Sequence, residues 1–142
     1  MAEVRFYEDV DDELLRVAVI LAKSRQQYVF CKHRERDTWE LPGGGREYGE
    51  AIIDAARREL REETGALDFD IIPVCVCSVT TPKLFEGNES VGMLFFADIK
   101  SFDTELHHEI KEIMITDELP SKWTYPDIHP ELIKEVKMRG YL

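Results

Sequence analysis

The sequence predicts an α/β domain, a mixed β-sheet sandwiched between helices, and three observations carry that reading. Six runs rich in β-branched and aromatic residues read as strands. Two stretches with helical periodicity interrupt them, one ending at a glycine and one opening at a proline. At 142 residues and 44% hydrophobic, the chain has material for one domain with a real core, and residues 1–142 are read as a single unit.

Val4 to Tyr7 predicts a short first strand, and the acidic run from Glu8 to Glu13 a solvated connection. Leu14 to Ala22 is apolar enough for a strand covered on both faces. Tyr28 to Cys31 follows the polar break 23–27, so the two form a hairpin. A basic connector, residues 32–37, leads through Trp39 and Leu41 to Pro42 and three glycines, where the chain turns sharply. From Glu50 to about Thr64 the pattern is helical, with Gly65 as C-terminal cap. Phe69 to Thr80 and Val91 to Ile99 predict two more strands, joined by a loop long enough to touch a ligand. Glu109 to Thr116 alternates as another strand, Asp117 to Pro120 makes a turn, and Pro130 to Arg139 makes a closing helix. There is no internal repeat, linker or low-complexity segment.

The formal net charge is -11, so long-range steering repels a polyanion or a membrane surface; bulk nucleic-acid binding is not expected, whereas a phosphate ligand bridged by metal is compatible. Cys31, Cys75 and Cys77 lie in apolar runs and read as buried, reduced thiols of a cytoplasmic protein. The acidic N-terminal stretch lacks the apolar centre of a signal peptide or anchor, and no apolar run reaches the ~20 residues a membrane span needs. A monomer or homodimer is expected.

The segment from Gly44 to Ala66 organises the rest. Advancing ~100° per residue from Ile52, Ala55, Ala56, Glu59 and Glu63 fall within ~60° of it, whereas Glu50, Asp54, Arg57 and Arg61 lie roughly opposite. Acids in line with a buried stripe imply that its last turn faces a polar cleft or a cation. Glu62 sits at the edge of the same arc. Positions i, i+3 and i+4 are neighbours on a helix, so Glu59, Glu62 and Glu63 can converge on a hard divalent cation such as Mg²⁺. Arg58 can pair with nearby acids, Glu50 included, and tie loop to helix by bidentate hydrogen bonds.

The spacing is more specific than the composition. Gly44, five residues, Glu50, seven residues, Arg58-Glu59-Leu60, then Glu62-Glu63 and Gly65 resembles the Nudix box. Seven fixed positions match by chance on the order of 10⁻⁸ per window. Ala66 stands at the closing aliphatic position, a small departure that touches packing and not chemistry. Trp39-Glu40-Leu41-Pro42-Gly43-Gly44 also resembles the segment that precedes the box, and Glu47 and Gly49 match residues frequent within it.

The resemblance implies the Nudix fold and Mg²⁺- or Mn²⁺-dependent hydrolysis of a nucleoside diphosphate linked to a group X. Glu59, Glu62 and Glu63 would be metal ligands, with the Gly43 carbonyl as a further ligand and Glu50 in contact through water. A later-loop glutamate is often a ligand or base; Glu109 is the first candidate, ahead of Glu105, Glu112 and Glu118. His107 and His108 are acid–base candidates. Arg34 and Lys32 are candidate phosphate contacts, and Trp39, Phe85, Lys83, Trp123 and Tyr125 candidate base contacts. The short build most resembles MutT-like nucleoside triphosphate pyrophosphatases, including those acting on oxidised dGTP. ADP-ribose or dinucleoside polyphosphate hydrolysis is the alternative enzyme, and a non-catalytic nucleotide-binding module the alternative class.

Overall fold

The computed structural model describes residues 2–82, 87–103 and 110–142. Seven strands form one sheet: β1 (Glu3–Tyr7), β2 (Val17–Ser24), β3 (Gln27–His33), β4 (Gly43–Gly45), β5 (Ala66–Thr80), β6 (Ser90–Phe102) and β7 (Ile110–Thr116). Two helices, α1 (Ile52–Thr64) and α2 (His129–Met138), complete the described structure together with a 3-10 turn at Asp12–Leu14. The order across the sheet is β1-β5-β6-β2-β3-β7, with β4 beside β2. Among the described strands only β2 and β6 pair in parallel, so the sheet is mixed as the sequence predicts.

The six predicted strands and two helices are present with shifted ends, and the glycine run read as a sharp turn is instead a seventh strand, β4, because residues without side chains can lie close along β2. Leu14 belongs to the 3-10 turn and is exposed, so β2 starts at Val17. The β2–β3 turn is two residues, Arg25 and Gln26, both with positive φ (50° and 71°). This primed geometry matches strand twist, but without Asn or Gly there it leaves no local signature. β5 begins at Ala66, directly after the left-handed Gly65 cap (φ 77°). A register shift between Pro73 and Cys75 accommodates the proline, which cannot donate to the ladder.

The sheet splits where the site is built. β2 and β3 pair only over residues 22–24 and 27–29, then diverge. The gap is filled by the strip 40–45: Glu40 exchanges both backbone hydrogen bonds with Cys31 of β3 at 3.0 Å, and the Ile20 amide of β2 donates to the Pro42 carbonyl at 2.9 Å. Gly43 to Gly45 then pair with Val19, Ala18 and Val17. A Cβ on Gly43 would strike the Ala18 carbonyl, so this close approach requires glycine.

A core lies on each face. Under α1, Ala55, Ala56 and Leu60 pack on Ala18, Ile20, Phe95 and Ile99. Under α2, Leu132, Ile133 and Val136 pack with Leu21, Phe30 and Leu94. Cys31, Cys75 and Cys77 are buried free thiols. Leu60 is fully buried one residue from Glu59, so Leu60→Ala is expected to cost roughly 2–5 kcal/mol of stability in chemical denaturation. Among the described residues no helix is long and apolar enough to cross a membrane.

Candidate active site

The α1 stripe continues into acids, as the angular argument requires. Ala55, Ala56, Leu60 and Thr64 are buried, Asp54, Arg57 and Arg61 exposed, and Glu59, Glu62 and Glu63 lie between. Glu59 and Glu63 look onto the glycine strip, and Glu62 lies beside them against Arg58. Glu63 Oε1 accepts a hydrogen bond from the Gly43 amide at 2.6 Å. Glu59 packs so closely on Gly44 that a Cβ there would overlap its carboxylate. Gly44→Ala therefore displaces a flexible side-chain end and no backbone. We expect Tm to move by only a few degrees while kcat falls about tenfold or more, measured on the same preparation.

Arg58 is the brace. Its Nε and Nη2 donate to both oxygens of Glu50 at 2.8 and 3.0 Å, and Nη2 also donates to the Gly45 carbonyl at 3.0 Å. Nη1 donates to Glu59 at 2.8 Å and reaches Glu62 at 3.4 Å. Glu50 lies before the helix, so its place is set by this fork and by the Glu47 amide at 3.0 Å, not by helical angle. The Arg58 guanidinium and the Glu47 amide hold the Glu50 carboxyl down at about 2, and Glu50 with its neighbours raises Arg58.

The other acids move the opposite way. Burial, against the partial relief of Arg58, raises Glu59. Burial, reinforced by Glu59, Glu40 and Glu62, pushes Glu63 up to about 8 despite the Gly43 amide. Desolvated carboxylates crowded against one another, with hard oxygen donors and a glycine leaving room, fit a divalent cation. Among the described residues no group of three or more His, Cys, Asp or Glu is already arranged as a metal cage; Arg58 occupies Glu59 and Glu62, and the Gly43 amide occupies Glu63.

On the opposite side of the glycine strip lies a mostly apolar cavity of about 190 Å³. Gly43 and Gly44, Val19, Leu132, Glu40 and His129 are among its lining residues, and Tyr125 stands beside them. The Glu40 carboxylate is held by Arg36 at 3.3 Å. His129 is buried, which pushes it down to about 3 and leaves it neutral; its Nδ1 accepts from the Leu41 amide at 3.1 Å.

The outlying candidates are placed differently. Lys32 is mostly buried at 12% exposure, paired with Glu112 at 2.9 Å and lying over the Trp39 ring at 4.7 Å. Lys32, Glu112 and Trp39 are thus engaged with one another. Arg34 is exposed on the turn after β3. Trp123 packs edge-on against Phe30, and Glu118 is exposed in the turn after β7. Glu109, Glu105, His107, His108, Phe85 and Lys83 lie outside the described residues. Sequence reasoning missed Glu40 and His129 as cavity residues. The signal for His129 was its place immediately before Pro130 at a helix start, where only its neighbours drew notice.

A split mixed sheet between two helices, with a glutamate-rich helix facing a glycine strip, defines a structural class, and comparison with known proteins identifies it. The NUDIX domain model matches residues 13–136, and the chain belongs to that family. An RNA pyrophosphohydrolase of Ruthia magnifica subsp. Calyptogena magnifica is 38% identical over 76 residues, covering 52% of this chain and 40% of that protein. The chain thus spans less than half the length of this relative. A second RNA pyrophosphohydrolase, from Pelagibacter ubique, is 28% identical over 130 residues, covering 87% of this chain and 82% of its own. The crystal structure of the Bacillus subtilis pyrophosphohydrolase BsRppH superposes with a TM-score of 0.78 over 97% of this chain and 92% of that one, at 23% identity, a likeness of fold.

Proposed function

We propose that the chain is a divalent-metal-dependent pyrophosphohydrolase that cleaves a phosphoanhydride bond in a nucleoside 5′-triphosphate, releasing pyrophosphate and leaving a 5′-monophosphate. The observation that carries this reading is that Glu59 and Glu63 meet the glycine strip, both raised by burial and mutual repulsion, with Glu62 beside them at Arg58. These carboxylates and the Gly43 carbonyl would hold Mg²⁺ or Mn²⁺, with Glu50 acting through water. The cation supplies neutralisation of phosphate charge and acidification of water. Arg58 fixes the loop relative to the helix, and the apolar cavity behind Gly43 and Gly44 takes the nucleoside. Glu109 is proposed as the base; an unchanged pH–rate profile in Glu109→Gln would move that role elsewhere.

The triphosphate can be free or carried on RNA. The names of the two relatives favour an RNA 5′ end; the net charge of -11 limits the contact to that end, because a longer polyanion is repelled. The MutT-like reading predicts free nucleotides, oxidised dGTP among them. An assay with Mg²⁺ decides, using a 5′-triphosphorylated oligoribonucleotide, the common and oxidised nucleoside triphosphates, ADP-ribose and a dinucleoside polyphosphate, with released pyrophosphate and phosphate read for the triphosphates and nucleotide products resolved by chromatography for all substrates. Higher kcat/KM on the oligoribonucleotide selects the RNA reading, and higher values on a free triphosphate select the MutT-like one. Turnover of ADP-ribose or the dinucleotide alone would overturn both. No turnover by folded protein that binds Mn²⁺ would make the chain a nucleotide-binding module.

A further inference from the structure

The strip 40–45 crosses from β3 to β2, and its backbone donors can be counted one by one. The Glu40 amide bonds to Cys31 of β3. Pro42 has no amide hydrogen, and its carbonyl is taken by Ile20 of β2. At the crossing, the amides of Leu41 and Gly43 are both met by side chains. Gly43 donates to Glu63 of α1 at 2.6 Å, and Leu41 donates to Nδ1 of His129, the first residue of α2, at 3.1 Å.

The two helices lie on opposite faces of the sheet and grip the same strip two residues apart. We propose that His129 is a positioning residue: by holding the Leu41 amide from the α2 side, it fixes the Gly43 amide and carbonyl against Glu63. The His129 ring cannot shift freely. It is 7% exposed and stands edge-on to Trp123 at 6.4 Å and Tyr125 at 5.1 Å. Leu41 is itself 2% exposed, so its amide has no ready water to take the place of Nδ1. The acceptor that orients the metal-side strip therefore comes from a helix that carries none of the box residues. The same ring also borders the cavity, and ring and strip are set together.

This inference rests on the hydrolase reading for its consequence in turnover, and its test separates the two. His129→Phe keeps a ring against Trp123 and Tyr125 and removes the acceptor. His129→Asn gives up ring packing but places Oδ1 two bonds from Cβ, as Nδ1 is. Three quantities are read on the full chain: hydrogen exchange of the Leu41 and Gly43 amides without metal, Mn²⁺ affinity by calorimetry, and kcat and KM.

In His129→Phe we expect both amides to exchange faster and Mn²⁺ to bind about tenfold more weakly. We also expect kcat to fall about tenfold with KM within about threefold of wild type, the pattern of a misplaced group and not of lost substrate binding. In His129→Asn protection and metal affinity return to within about threefold of wild type. Should the Phe variant not fold, His129→Ala set against His129→Asn provides the same contrast. The proposal is overturned if removing the acceptor leaves Gly43 exchange and Mn²⁺ affinity unchanged, or if Asn loses as much as Phe or Ala. Exchange and metal affinity need no turnover, so they decide the role of His129 even if no substrate is cleaved.

Discussion

Glu63→Gln is expected to lower kcat by about two orders of magnitude or more while the metal-free protein remains folded and is no less stable at neutral pH. Gln keeps the volume and an oxygen acceptor for the Gly43 amide, so the 2.6 Å contact survives. What it removes is a negative charge facing the strip.

That charge is costly without a cation. The folded-state value of Glu63 is about 8, above the ordinary carboxylate range. Between those limits the folded chain holds a proton that the unfolded chain has released, so stability falls as pH rises toward about 8 and levels off beyond. In EDTA the wild-type Tm should therefore drop across this window. Mg²⁺ should restore it by binding the folded state, and Glu63→Gln should flatten the pH dependence. Thermal melts with EDTA and with Mg²⁺, paired with kcat, give both results. Near-normal kcat in Glu63→Gln and in Glu62→Gln would sink the metal assignment.

Arg58→Lys is expected to lose about two orders of magnitude in kcat and several degrees in Tm, although the charge is conserved. The guanidinium serves two oxygens of Glu50, the Gly45 carbonyl and Glu59 at 3.0 Å or less. A lysine ammonium is a point charge on a flexible stem and can satisfy the carboxylates only in part; it cannot hold the planar fork that spans loop and helix. Arg58→Ala, which also leaves the acids mutually unshielded, should lower Tm further than Arg58→Lys. If Lys matches wild type in both kcat and Tm, the role of Arg58 is charge alone.

Much of this arrangement was legible because it is local. The order of strands and helices, the Gly65 cap and the alignment of Glu59 and Glu63 with the buried stripe all follow from periodicity within one element, and each stands in the structure. The pairing of Arg58 with Glu50 followed from charge and spacing. Long-range features left no such trace. The divergence of β2 from β3, the strip that fills it and the His129–Leu41 contact join residues as many as 88 apart. The commitment of Lys32 to Glu112 depends on β3 lying beside β7, which no spacing near Lys32 reveals. The type of hairpin at Arg25 and Gln26 was hidden because residues unsuited to positive φ occupy it.

The parallel pairing of β2 with β6 has a consequence for synthesis. Val17 to Lys23 pair with Gly92 to Asp98, and β3, β4, α1 and β5 all intervene. The floor beneath α1 includes Phe95, Ala97 and Ile99 of β6. On the ribosome, every residue of the glutamate helix emerges before β6, and a nascent chain ending at β5 carries the whole motif with only the part of its floor that β2, β3 and β5 supply. Complete burial of α1 must wait for a closure across about 75 residues, Val17 to Gly92, the kind of non-local step that places folding in the millisecond-to-second range. Catalytic competence should therefore arrive late, after β6 has closed the floor and His129 of α2 has cleared the exit tunnel to meet the Leu41 amide.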